Sequence, residues 1–131
     1  MERFLIVCLG GAAGTGARYL VSGWALTLLG SSFPYGTLIV NVLGSFLLGA
    51  LMHIGISAEW MSPNARLALT TGVLGGFTTY STFSYETLRL LQERAWLIAA
   101  LNIASTVLLC LLASVLGFVV GRWLVGGGHW T

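Results

Sequence analysis

An apolar segment running from about Ala65 to Leu91 is interrupted by Gly75-Gly76-Phe77-Thr78-Thr79-Tyr80-Ser81-Thr82-Phe83-Ser84, two glycines followed by five serines or threonines within eight positions. No other feature limits the fold so strongly. Lipid offers no water to backbone N–H and C=O groups, so irregular backbone at membrane depth persists only where protein or a wet cavity covers it. A glycine-interrupted span is also the best pointer from sequence to an ion or substrate site in a transport protein. The expectation is a membrane protein that moves an ion, with its site at the break.

The rest of the chain agrees with a lipid setting. Charged residues make up 8% of the sequence, against roughly a quarter in soluble domains, and hydrophobic residues 56%. Lysine and aspartate are absent, and the six arginines and four glutamates are scattered, which gives no basic stripe for nucleic acid. Four apolar segments, at about 4–29, 35–56, 65–91 with a break near 75–80, and 96–125, each approach or exceed the roughly 20 residues a helix needs to cross the hydrocarbon. The reading is one all-α transmembrane domain over residues 1–131. The N-terminus reads as a retained span rather than a cleaved signal, because the apolar run resumes after Gly10–Gly14 and continues through Leu29. Pro34 and Pro63 fall in connections, and Ser62-Pro63 has the form of an N-cap followed by proline at the first helical position. Trp24, Trp60, Trp96 and Trp123 lie near span ends, where interfacial aromatics belong. The tail from Gly126 is expected to fray.

Orientation is weakly specified. Arg3, Arg66 and Arg122 would share one side and Arg89 and Arg94 the other, a slender bias for a rule that counts basic residues near span ends. Such a chain can insert both ways, although a fixed orientation set by other signals is the plain alternative. Many transporters put their site between inverted repeats. No second repeat is visible here, so an antiparallel homodimer would supply the other half. Gly10 and Gly14 form a GxxxG pair, and Gly44, Ser45 and Gly49 line one side of the second span, as close helix contact requires.

Several polar residues need explaining at membrane depth. Asn41, with Ser45 and Gly49 on its face, serves either as helix-packing glue or as an amide donor to an anion. Asn102, Thr106, Cys110 and Ser114 recur every fourth residue of the last span, a stripe that faces either a pore or another helix. Arg18 either snorkels or draws anions toward a vestibule, and Glu86 either orients the hydroxyl cluster or exchanges protons. Tyr80 and Phe83 share a helix face. They are core residues, or they offer positively polarised ring edges that hold a small anion weakly enough to release it. Cys8 and Cys110 are expected as buried packing residues, since no metal-ligand or CxxC spacing occurs. His53 is expected at an interface, and no nucleophile–base–orienter set is present, so the chain reads as no enzyme.

These motifs resemble those of the fluoride channel family called Fluc or CrcB-like, over essentially the whole length. The resemblance is carried by Gly10-Gly11 through Gly14 to Arg18, by Gly36-Thr37-Leu38-Ile39-Val40-Asn41, and by Thr71-Gly72 with the run from Gly75-Gly76 to Tyr85-Glu86. It implies a dual-topology antiparallel homodimer in the bacterial inner membrane, with two pores and a structural sodium ion at the dimer axis. The backbone carbonyls of Gly75 and Thr78 would hold that ion. It further implies a fluoride path lined by Asn41, Tyr80 and Phe83, with Ser81, Thr82, Thr37 and Glu86 along it, Arg18 near the vestibule, and Thr106 on the fourth span. Tyr80 stands where the family usually has phenylalanine. The function implied is passive, selective fluoride export that protects the cell from fluoride toxicity. The alternative is a small proton-coupled multidrug exporter, also a four-helix dual-topology dimer. It would need a carboxylate within the first span, where this chain has Arg18.

Overall fold

The computed structural model describes residues 1–57 and 61–126. Trp60 and the expected frayed tail with His129 lie outside them. Helices are joined by short connections, and there is no strand among the described residues.

Helix α1 (Glu2–Leu29) ends because Gly30 adopts φ 79°, a left-handed conformation that turns the chain, while its N–H still bonds the Leu26 carbonyl. Helix α2 (Tyr35–Ser57) returns. Helix α3 (Pro63–Leu67) starts as the sequence predicts, with the Ala65 N–H donating to Ser62 Oγ at 3.2 Å and Pro63 in the first turn. It runs on without a break into a π-helical stretch, Ala68–Leu74, and the short α4 (Gly75–Phe77), since Leu67, Ala68, Leu74 and Gly75 all keep right-handed helical dihedrals. The rod stops at Thr78 (ψ 156°) and Thr79 (ψ 117°), which are extended. Helix α5 (Tyr80–Gln92) then begins, capped by Thr79 Oγ1, which accepts from the Thr82 N–H at 3.3 Å. A tight turn with Arg94 at φ 60° leads into α6 (Trp96–Leu124). Among these, α1, α2 and α6 are long and apolar enough to cross a membrane.

Two seams of backbone contact build the bundle. Along one, α1 lies against the rod of residues 63–77. A Cβ at Gly14 would strike the Val73 carbonyl, and one at Gly76 would strike the Gly11 carbonyl. Along the other, α2 lies against α6. A Cβ at Gly117 would strike the Phe46 carbonyl, and one at Gly49 the Ser114 carbonyl. In lipid there is little hydrophobic drive between helices, so close van der Waals contact through small residues takes its place. The glycine faces read from sequence are thus engaged within the chain. The interior is correspondingly thin, and Val40 and Asn102 are its largest fully buried side chains. Cys8 departs from expectation: it is exposed on α1, because the glycine seam turns that face away from the bundle, and Cys110 is only half-buried. His53 packs edge-on against Phe118, ring centroids 4.8 Å apart.

Candidate functional site

The break is held open by a side chain from another helix. Asn41 on α2 grips Thr79 at both polar backbone atoms: Nδ2 donates to the Thr79 carbonyl at 3.0 Å, and Oδ1 accepts from the Thr79 N–H at 2.8 Å. That N–H would otherwise close the helix ladder on the Gly75 carbonyl. One turn on, the Thr82 N–H that would reach the Thr78 carbonyl goes to Thr79 Oγ1 instead. Gly75 and Thr78 carbonyls therefore leave the regular ladder. The Gly76 carbonyl finds a different partner. Arg18 Nε donates to it at 3.1 Å, and Thr15 Oγ1 does so at 3.5 Å. A cation at the C-terminal end of a helical rod also meets the negative end of its dipole.

A groove of about 440 Å³ opens beside this break. Asn41, Gly75, Thr78, Tyr80, Phe83 and Thr106 all line it, together with Ser45 and Cys110. The two aromatic rings stand 5.5 Å apart at 55°, with Phe83 buried and Tyr80 79% exposed, so only Tyr80 projects beyond the protomer. Thr106 is buried, and its Oγ1 has no hydrogen-bond partner among the described residues. Buried polar atoms are almost always satisfied, so this hydroxyl stands apart from those of Ser105 and Ser114 on the same helix, which are bonded.

Thr37, Thr82 and Glu86 gather in a second groove, of about 370 Å³, toward the end of the bundle that holds Arg89. Thr37 Oγ1 donates to Glu86 Oε1 at 2.9 Å, while Oε2 is enclosed without a partner among the described residues. Ser81 and Arg18 line neither groove. Ser81 Oγ lies 3.3 Å from Thr79 Oγ1 on the exposed side.

The polar stripe of α6 divides its work. Thr106 and Cys110 face the first groove. Ser114 Oγ donates to the Ser45 carbonyl at 3.4 Å. Asn102 is 1% exposed and donates through Nδ2 to Thr87 Oγ1 at 2.9 Å, and Thr87 in turn donates to the Phe83 carbonyl at 2.8 Å. Sequence reasoning singled out neither Thr79 nor Thr87. Thr79-x-x-Thr82 has the spacing of an N-cap and would have marked the start of α5. Nothing in the sequence alone pairs Thr87 with Asn102.

A family model described as CrcB-like protein, Camphor Resistance (CrcB), matches residues 5–118. The chain belongs to the CrcB-like family. A relative from Sorangium cellulosum is 56% identical over 127 residues, covering 97% of this chain and all of the relative. One from Anaeromyxobacter dehalogenans is 52% identical over 126 residues, 96% of this chain and all of the relative. One from Geotalea daltonii is 44% identical over 124 residues, 95% of this chain and all of the relative. Each of the three is named fluoride-specific ion channel FluC, a channel and no enzyme. With these bacterial relatives and its apolar helices, this CrcB-like chain is a multi-pass membrane protein.

Proposed function

We propose that the chain is a fluoride-selective channel giving passive fluoride export across the bacterial inner membrane. The observation that carries this reading is the full-length, 56% identity to a relative named as a fluoride-specific channel. The groove at the break is what such a channel needs. Hydrogen fluoride crosses the bilayer as a neutral acid and ionises at cytoplasmic pH, and the anion then needs a protein route. A channel suffices, because the ion leaves downhill.

The proposed channel is an antiparallel dual-topology homodimer of four-span protomers, the third span comprising α3 to α5 with its break at Thr78–Thr79. Fluoride passes the ring edges of Phe83 and Tyr80, the Asn41 amide and Thr106 Oγ1, then the Thr82, Thr37 and Glu86 cluster, with Ser81 at its margin. These are neutral donors and polarised edges apart from Glu86, so binding stays weak enough for release. Arg18, tied to the Gly76 carbonyl, contributes positive charge near the break.

A sodium ion at the dimer axis is part of the proposal. The Gly75 and Thr78 carbonyls suit a hard cation, since the donors that would close the ladder on them are diverted to Asn41 and to Thr79 Oγ1. One such pair from each protomer would hold the ion, and its positive charge would offset the converging carbonyl dipoles at the two breaks. The proton-coupled exporter is not favoured, since α1 carries no carboxylate beyond Glu2 at its very start.

The test is efflux from liposomes carrying the purified protein. Fluoride should leave without a proton gradient or nucleotide, and chloride-loaded liposomes should stay tight. Equal fluoride and chloride efflux, or none of either, would refute the proposal.

A further inference from the structure

The groove of about 620 Å³ at the opposite end from Arg89 shares Leu48 and Thr70 with the groove at the break but holds none of the residues of the proposed fluoride path. It lies where α1 begins, α2 ends and α3 begins, and two guanidinium groups, Arg3 and Arg66, line it. No carboxylate among the described residues lines it. The neighbouring Glu2 is occupied, accepting from Asn64 Nδ2 at 3.1 Å. Arg3 has no hydrogen-bond or ion-pair partner among the described residues, and Arg66 has only a long contact from Nη1 to the Gly55 carbonyl at 3.5 Å. Two cations line one groove, and among the described residues neither forms an ion pair.

We propose that this groove is a binding site for the phosphate headgroup of an anionic phospholipid. The position decides between a lipid and a soluble anion. Arg3 is the second residue of α1 and Arg66 the fourth of α3, so both stand at the level where a span leaves the hydrocarbon. The remaining wall includes Leu48, Met52 and Leu67, along which an acyl chain would lie, beside Pro63, Thr70 and Thr71. Guanidinium groups match phosphate oxygens with paired N–H donors. Basic pockets between membrane helices take anionic headgroups by the same chemistry. The inference concerns lipid contact alone and stands independently of the permeant ion.

The experiment uses the full chain purified in detergent and titrated with phosphatidylglycerol, with phosphatidylcholine and with inorganic phosphate. Retained lipid is read by native mass spectrometry and thermal stability by melting temperature. The parent should retain phosphatidylglycerol in preference to phosphatidylcholine and melt several degrees higher with it, while inorganic phosphate leaves the melting temperature unchanged. Arg3→Gln breaks no intramolecular contact and should weaken phosphatidylglycerol retention about fivefold. Arg3→Gln with Arg66→Gln should abolish the preference, whereas Arg89→Gln with Arg94→Gln at the other end should keep it. Equal retention of the two lipids by the parent, or an undiminished preference in both Arg3 variants, would overturn the proposal. So would a melting shift reproduced by inorganic phosphate alone, which would assign the groove to a soluble anion.

Discussion

Replacing Asn41 by leucine tests the clamp at the break, because it keeps the size of the side chain and removes both of its hydrogen bonds. The two bonds, at 3.0 and 2.8 Å, satisfy one backbone carbonyl and one backbone N–H of Thr79. Leaving a buried polar group unpaired costs about 1–3 kcal/mol each. Thr79 is half-buried, which puts each loss near the lower end, so Asn41→Leu should destabilise the folded protein by about 2–3 kcal/mol. Reversible unfolding in mixed micelles measures this directly. Flux gives a second reading. If the same amide steadies a passing anion, losing a hydrogen bond to a charged group raises the barrier by about 1.5–3 kcal/mol, a slowing of about ten- to a hundredfold. Asn41→Asp should slow flux further, since an ionised carboxylate repels the anion while offering it no donor. A leucine variant within about 0.5 kcal/mol of the parent, passing fluoride at the parent rate, would refute both the clamp and the pore role.

Three other outcomes follow from the geometry and from the proposed dual-topology dimer. Phe83→Ile keeps an apolar filler and removes the ring edge, so fluoride efflux should fall about tenfold or more while dimers still form on a sizing column; parent flux would remove the aromatic pair from the path. Gly14→Val should cost about 3 kcal/mol or prevent folding, because its Cβ meets the Val73 carbonyl, whereas Gly16→Val, with open space around it, should be near neutral in the same unfolding assay. Ser31→Cys, placed in a background with Cys8 and Cys110 replaced by alanine, should react with an impermeant thiol reagent from both sides of the membrane. Labelling from one side only would refute dual insertion.

The helices were largely legible, and the break less so. Helices α1, α2 and α6 coincide with the expected apolar segments to within two residues, because long apolar runs bounded by Gly30, Pro34 and Pro63 leave little freedom. The glycines of the interrupted segment suggested where the helix would stop, yet Gly75 and Gly76 are helical and the extended residues are Thr78 and Thr79. Gly76 is small for a different reason, its contact with the Gly11 backbone. The stop itself depends on Asn41, whose amide outcompetes the helix ladder for the Thr79 N–H, a tertiary contact that no local pattern encodes. The π-helical stretch Ala68–Leu74 was equally hidden, since its composition is that of an ordinary apolar helix. Among the polar residues, spacing singled out Asn41, Tyr80, Phe83 and Thr106, which line one groove. It could not separate Thr106, turned to the groove, from Asn102 four residues earlier, turned to Thr87.

The two glycine seams also set an order for biosynthesis. Helix α1 meets its partner rod by the time residue 77 has entered the bilayer, but α2 packs on α6, the last helix to emerge from the ribosome. Until then the face of α2 around Gly49 borders lipid, and the second half of the protomer cannot lock. The α2–α6 seam is therefore the later of the two to close, once α6 has been made. Truncation before Trp96 would remove this closing step altogether and leave α2 without the helix its glycines are shaped to receive.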